Sequence, residues 1–456
     1  MKYQVPTSPA GRWAPAVLAC LTLLAVLPSS AVRAQGRGEK WAGTWSTSVV
    51  GRPQTPPPPA AAPGPAPFMA NQCPIAAAPA VAPPPGQTFG QPPFAHFTNQ
   101  TLRQVIHTSV GGSRVRLVLS NAHGTAPLVI GSGAVALREK DSAIQPASVR
   151  PLTFGGRPTI SIPARAVVYS DAVDLNVVAT SDLVVDLYLP GATDAPSPVT
   201  MHNASFQTNY ISETGNHVGK ATLPTVATIQ SWFFLSQVDV LAPEGTPVLV
   251  AFGDSITDGT RSTPNANNRW TDQLVRRLLA QPTPQRVGVL NAGIAGNRVL
   301  SEGAFAVGLN ALARFDADVL NRSGVTHVLI MEGINDIGNA RQNATPTAED
   351  IIAGHKQLVE RARSRGLRVI GATLTPFWGA GYYTDVGEAK RQAVNEWIRK
   401  GGAYDAVADF DLAMRDANDP KKLRADFDSC DHLHPNDAGY RAMAAVVDLA
   451  LPGAVR

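Results

Sequence analysis

The 456-residue chain is short of charge, of cysteine and of long apolar runs. Only 16% of its residues are Asp, Glu, Lys or Arg, and like charges nowhere form a block. That leaves no concentrated basic footprint for phosphates, so the formal charge of +4 does not imply a nucleic acid partner. The one extended apolar run, Ala14 to Leu27, is too short to span a bilayer comfortably, and no second one follows. His202 and His217 have no partner at metal-ligand spacing and read as surface or core histidines. Asp409-Phe410-Asp411 lacks the glycine and closing glutamate of a calcium loop. What is present is a hydrophobic share of 44%, enough for a sizeable core, and a length that suggests two domains or three.

The first 34 residues contain Lys2, Arg12 and Arg33 and no acid. A cationic start, the apolar run to Leu27, then Val32 and Ala34 at the −3 and −1 places read as an export signal over residues 1–34. The expected location is therefore secreted or periplasmic, with no stable membrane insertion after cleavage. Removing those three cations leaves a nearly balanced chain, with 12 Lys+Arg against 11 Asp+Glu over residues 35–246 and 24 against 24 beyond. Cys20 departs with the signal. Cys73 and Cys430 remain, and a disulfide between them is expected in an oxidising compartment, with two separate thiols as the alternative.

Residues 53–93 hold 15 prolines and no Asp, Glu, Lys or Arg, so neither helix nor sheet is expected there. From about Thr98 to Leu241 the texture is short β-branched runs between turn residues, among them Val115–Leu119, Leu128–Ile130, Val173–Val178, Leu183–Leu189 and Ser231–Val240. This predicts an antiparallel β-sandwich. At Pro247 the pattern changes. Continuous apolar runs at 248–252, 287–290, 328–331, 369–374 and 406–410 alternate with helical segments. The helices are clearest at 270–279 and 348–365, where Thr347 caps and Ile351, His355, Leu358 and Ala362 share a face. A last helix runs from about Asn436 to Leu449. The alternation predicts a parallel sheet covered on both faces, with ligands at the carboxyl ends of its strands.

Those ends carry the chemistry. Gly253-Asp254-Ser255-Ile256-Thr257-Asp258-Gly259 follows the first run directly. It is not the G-x-S-x-G elbow, because Thr257 stands two after the serine. A serine hydroxyl needs a base. In Asp431-His432-Leu433-His434-Pro435 a carboxylate three residues before His434 can take the Nδ1 proton and leave Nε2 for Ser255. His432, adjacent to Asp431, is expected to point elsewhere. Oxyanion donors are offered by the Ser255 N–H, by Gly296 in Asn291-Ala292-Gly293-Ile294-Ala295-Gly296-Asn297, and by the Asn335 amide in Gly333-Ile334-Asn335-Asp336. Taken singly, either glycine-rich stretch is an ordinary turn. Asp254 reads as a structural hydrogen-bonding residue, and Phe377, Trp378, Tyr382 and Tyr383 as cleft wall or local packing.

The ordered set G-D-S, glycine after the second strand, G-x-N-D after the third and D-x-x-H before the last helix resembles the SGNH, or GDSL, hydrolases over about residues 247–450. The resemblance implies a three-layer α/β/α domain and a carboxylic ester hydrolase with no cofactor and no metal. It also implies Ser255 as nucleophile, His434 as base, Asp431 as its orienting acid, and Ser255, Gly296 and Asn335 as the oxyanion hole. Asn267-Asn268-Arg269-Trp270, Met331 to Asp336 and Asp431 to Tyr440 look like a secreted bacterial subgroup grouped with esterases of xylan-degradation clusters, which carries an N-terminal β domain. Cys430 is not part of that pattern. The expected organisation is a signal at 1–34, a β-sandwich-like accessory domain at 35–246 with its proline-rich insertion, and an SGNH hydrolase domain at 247–456. The expected partner is a small-molecule or polysaccharide ester carrying short acyl groups. Two alternatives stay open: an O-acyltransferase using the same serine, and a carbohydrate-binding protein working through the β domain.

Overall fold

The computed structural model describes residues 1–4, 38–52, 96–193, 197–303, 305–338 and 346–449. The expected export signal, the proline-rich stretch 53–93 and Cys73 lie outside the described residues. The amino-terminal strands are antiparallel. β1 (Glu39–Ser46), β2 (Gln100–His107), β3 (Gly112–Ser120), β4 (Ser132–Lys140), β5 (Asp182–Leu189), β6 (Asn209–Thr214) and β7 (Leu235–Pro243) form the body of two sheets. One sheet runs β1-β7-β3 and the other β6-β2-β5-β4. Their alternating residues, such as Val115, Leu117, Leu119, Leu183, Val185 and Leu187, are buried in one apolar cluster. The run expected as a single strand over 231–240 is two strands. Phe234 adopts φ 58° and breaks it between Ser231–Phe233 and β7, sending the first piece into a separate small sheet.

The second half holds five parallel strands, β8 (Val248–Gly253), β9 (Gly288–Gly293), β10 (His327–Met331), β11 (Arg368–Ala372) and β12 (Ala406–Ala408), in the order β9-β8-β10-β11-β12. Between and after them come α1 (Ser255–Asp258), α2 (Trp270–Leu279), α3 (Ala311–Phe315), α4 (Ile334–Gly338), α5 (Ala348–Ser364), α6 (Asp385–Lys400), α7 (Phe410–Met414) and α8 (Asp437–Ala445). The sheet is apolar on both faces, as right-handed crossovers require. Leu249 and Ala251 pack with Trp270, Leu274 and Tyr440 of α2 and α8, while Val248, Val250 and Phe252 pack with Phe315, Leu358 and Ala362 of α3 and α5. α5 forms where its cap dictates. The Thr347 hydroxyl accepts from the Asp350 N–H at 3.1 Å, and the Asp350 carboxylate accepts in return from the Thr347 N–H at 2.9 Å.

The described residues from Gly38 onward belong to one compact unit. β1 lies against β9 so closely that a Cβ at Gly43 would sit 2.7 Å from a Leu290 methyl, and one at Gly288 would sit 2.3 Å from the Gly43 carbonyl oxygen. Gly288 meets backbone and admits only glycine, while a side chain at Gly43 would have to displace Leu290. The apolar cluster therefore runs unbroken from the antiparallel strands into β8, β9 and β10. In this strand order the connections diverge on either side of the gap between β8 and β10, and the carboxyl ends of those two strands open a crevice there.

Candidate active site

β8 ends at Gly253, level with Gly293 of β9 and Met331 of β10, so the three following segments start side by side. Asp254 is extended and its Oδ1 accepts from the Ile256 N–H at 2.9 Å, which makes it the N-cap of the four-residue α1. Ser255 is the first helical residue, where its own N–H has no acceptor within the helix. The structural role expected for Asp254 is the one it has. The neighbouring segment must come very near. A Cβ at Gly293 would stand 2.2 Å from the Asp258 nitrogen, so the β9 turn packs directly onto the backbone of α1.

The Ser255 hydroxyl lies 2.9 Å from Nε2 of His434, and Nδ1 of His434 lies 2.7 Å from Oδ2 of Asp431. The other carboxylate oxygen, Oδ1, accepts from the backbone N–H groups of His434 at 2.8 Å and Leu433 at 3.1 Å. An acceptor-only carboxylate at Nδ1 fixes the tautomer, leaving Nε2 as the acceptor for the serine proton. Burial raises the Asp431 carboxyl, but the imidazole's hydrogen bond and charge and the two N–H groups outweigh it and bring it down to about 2. Asp431 is thus an anion at neutral pH.

Asn335 sits in the first turn of α4 and its amide donates to the Asn297 carbonyl at 3.0 Å. Asp336 accepts from the N–H groups of Val299 at 2.8 Å and Leu300 at 3.1 Å. These bonds lash the turn after β10 to the turn after β9, where Gly296 has φ 78°, a conformation that favours glycine. Burial pushes the Asp336 carboxyl up to about 6 despite those bonds. The structure brings Ser255, Asp431 and His434 into one hydrogen-bonded chain, and the Asn335–Asn297 bond ties the segment that carries Asn335 to the turn that carries Gly296.

Residues 251–442 match the GDSL-like Lipase/Acylhydrolase family. This segment is a GDSL-like lipase/acylhydrolase domain, and the match supports a carboxylic ester hydrolase. Similar solved structures include a GDSL-like lipase from Bacteroides thetaiotaomicron (20% identity, TM-score 0.33), covering 44% of this chain and 84% of its own. A member of the lipolytic protein G-D-S-L family from Veillonella parvula is 21% identical at TM-score 0.32, covering 44% and 95%. A carbohydrate acetylesterase from Sinorhizobium meliloti is 16% identical at TM-score 0.34, also covering 44% and 95%. No curated protein matches the sequence.

Around the GDSL domain's site the other sequence candidates find ordinary places. His432 pairs with Asp428 at 2.5 Å, not with Asp431. Phe377 is fully buried against Tyr382 and Tyr383, with ring centroids 6.0 and 5.0 Å away, so these three are packing; Trp378 is exposed, with the Lys422 ammonium 4.1 Å from its ring centroid. Asp409 caps α7 and pairs with Arg399. His217 meets Lys220 at the surface. Among the described residues no group of metal-ligating side chains occurs, and no helix is long and apolar enough to cross a membrane. Cys430 is disulfide-bonded.

Two features escape a reading of the chain. His202, from the antiparallel half, is a core histidine whose Nε2 lies 3.0 Å from Asp258 Oδ1 in α1 and whose Nδ1 lies 2.7 Å from the Ser48 carbonyl. Arg314 of α3 is buried beneath the serine, where its guanidinium donates to the Gly253 carbonyl at 2.9 Å. Nothing in the spacing of either residue announces a partner far away in sequence. The only available signal was an arginine, Arg314, between Ala313 and Phe315 in an otherwise apolar stretch.

Proposed function

We propose that this chain is an exported serine esterase that hydrolyses short-chain carboxylic esters through an acyl-enzyme. The observation that carries the reading is the unbroken chain from Ser255 Oγ through His434 to Asp431, at 2.9 and 2.7 Å. In this mechanism the Ser255 oxygen attacks the ester carbonyl while His434 Nε2 takes its proton, and Asp431 stabilises the resulting imidazolium. The carbonyl oxygen, now anionic, is held by the N–H groups of Ser255 and Gly296 and the amide of Asn335, each donor contributing roughly 10²–10³ in rate. The imidazolium returns its proton to the departing alcohol. Water then repeats the cycle on the acyl-serine and releases the carboxylic acid. No cofactor enters either half.

The finer assignments rest on narrower support. The two apolar faces of the parallel sheet support a three-layer α/β/α arrangement, and the shared core of the antiparallel sheets supports a sandwich. All five proposed site residues fall within 247–456, which supports 35–246 as an accessory region. The balanced charge fits a neutral substrate, and the subgroup resemblance favours acetyl groups on polysaccharide. The cationic start, apolar run and Val32/Ala34 pattern support export. The purified protein is expected to release p-nitrophenol from p-nitrophenyl acetate, and Ser255→Ala to lose at least about 10⁴-fold in kcat. Undiminished turnover by the alanine variant would sink the assignment. A panel of acyl lengths and acetylated polysaccharides then ranks the substrates.

A further inference from the structure

The three segments that carry Ser255, Gly296 and Asn335 leave three different strands, β8, β9 and β10. One buried guanidinium touches all of them. Arg314 Nη2 donates to the carbonyl of Gly253, the last residue of β8, at 2.9 Å, and to Glu332 Oε1, which directly follows β10, at 3.0 Å. Its Nη1 donates to the Ala292 carbonyl at 2.8 Å, and its Nε to the Asn297 side-chain oxygen at 2.8 Å, so two bonds bracket the Gly296 turn. Nη1 also reaches Asp318 at 2.9 Å and Ser48 Oγ, in the antiparallel half, at 3.2 Å. The ring of Phe252 lies under the guanidinium at 4.0 Å.

The chain of contact continues to the donors themselves. Asn297, held by Arg314 through its side chain, accepts the Asn335 amide on its backbone carbonyl at 3.0 Å. Gly253, held through its carbonyl, is two residues before Ser255. Arg314 is 4% exposed, and all three of its guanidinium nitrogens donate to protein acceptors. A planar fork with five N–H donors meets this set of acceptors; an ammonium on a flexible stem meets fewer and fixes no plane. Asp318 is shared with Arg322 at 3.1 Å, and Glu332 keeps a second oxygen without a partner, so the guanidinium is not matched one-to-one by a single carboxylate.

We propose that Arg314 is a positioning residue that sets the distance between the nucleophile and the two oxyanion donors, and that through Ser48 it makes this setting depend on the antiparallel half. The proposal rests on the esterase reading above. It separates from a merely structural role because misplacing the donors weakens only the transition state. A shift of about 1 Å costs on the order of 10² in rate without changing how substrate is bound.

The test is a double-mutant cycle on p-nitrophenyl acetate. Arg314→Lys is expected to lower kcat about 10- to 100-fold, with KM changed less than about threefold and the shape of the pH profile retained, since the triad is intact. In an Asn335→Ala background the same substitution is expected to cost at least about threefold less than in the wild type, because one of the two donors it positions is gone. An unchanged kcat, a loss carried by KM, or the full loss repeated in the Asn335→Ala background would overturn the proposal. Should the lysine variant not fold, Asn297→Ala removes the Nε acceptor while sparing the backbone carbonyl that holds Asn335. It is expected to lower kcat at least about fivefold with the same non-additivity, and an unchanged kcat there would equally overturn it. Ser255→Ala run alongside distinguishes the two failures. If it keeps full turnover the esterase reading falls, and if it is dead while Arg314→Lys is fully active only the positioning role falls.

Discussion

Two imidazole–carboxylate pairs sit within seven residues of one loop, and only one is joined to a serine hydroxyl. Asp431 and His434 are 2.7 Å apart with side chains 4% and 12% exposed, and Nε2 of that ring meets Ser255. Asp428 and His432 are 2.5 Å apart, and the His432 side chain is 42% exposed. Both carboxylates also accept backbone N–H groups, Asp428 from Cys430 and His432, Asp431 from Leu433 and His434. The hydrogen-bonding pattern is nearly duplicated. The difference lies in where the far nitrogen points. Cys430 at φ 71° and His432 at φ 59° twist the chain between the pairs, so that one ring turns inward to α1 and the other lies against Gly379, where an added Cβ would come within 2.9 Å of it. A bonded Asp–His pair is therefore not itself evidence of a base; a reacting group on the second nitrogen is.

The largest effects break the inner pair. His434→Ala is expected to cut kcat for p-nitrophenyl acetate by about 10⁴-fold or more, because the serine proton loses its acceptor. Asp431→Asn is expected to cost on the order of 10³-fold, since an amide at Nδ1 allows the wrong tautomer and no longer stabilises the imidazolium. If both variants kept more than a tenth of wild-type kcat, the inner pair would be no more catalytic than the outer one.

How far this contrast could be read from the chain alone depends on the range of the interactions. The expectation that His434 rather than His432 faces the serine followed from a three-residue spacing, and the structure places the rings accordingly. The same local reasoning gave the α2 and α5 helices and the buried face of Ile351, His355, Leu358 and Ala362, because caps and 3.6-residue periodicity are written within one segment. It did not single out α6, whose sequence starts without an Asx or capping box beyond Thr384 and carries charges along most of its length. β2 was missed as well, since Gln100, Arg103 and Gln104 interrupt its apolar residues. Arg103 is buried there because two of its nitrogens donate to Asp186 on the adjacent strand at 2.8 Å each, and the third donates to the Ser142 carbonyl. Arg314 and His202 failed to stand out for the same reason. Each owes its place to partners brought in by the sheet order and not by its own neighbours.

A third carboxyl extends the comparison. Asp254 adjoins Ser255 but has no imidazole partner, and one of its oxygens is buried without a hydrogen bond. Burial drives it up to about 6, against the pull of the Ile256 N–H and of the charges on His434 and Arg314, whereas paired Asp431 is driven down to about 2. The signs are opposite. Asp431 adds stability that is full above the unfolded carboxyl range near 4 and is lost as pH falls from there toward 2. Asp254 subtracts stability as pH rises from about 4 to about 6, where the unfolded chain is already ionised and the folded one still holds its proton. Asp254→Asn keeps the oxygen that caps Ile256 and mimics the neutral acid. Chemical denaturation is expected to show it more stable than wild type by about 2 kcal/mol at pH 8, with the advantage vanishing near pH 4. An advantage that is equal at both pH values would mean that the unpaired carboxyl is not the source.

The smallest expected effect is the sharpest check on the outer pair. His432→Ala leaves Asp431, His434 and Ser255 untouched, and Asp428 keeps the N–H of Cys430 and of residue 432 as donors. Losing one partly exposed side-chain hydrogen bond is worth about 0–1 kcal/mol in stability. With no reacting group on the ring, kcat for p-nitrophenyl acetate is expected to change less than about threefold. A loss of 100-fold or more, with His434→Ala no worse, would exchange the roles of the two histidines. A modest loss confined to KM, and larger for an acetylated oligosaccharide than for the small ester, would instead place the exposed ring against the alcohol side of the substrate. In that case the two pairs would divide the work between chemistry and recognition.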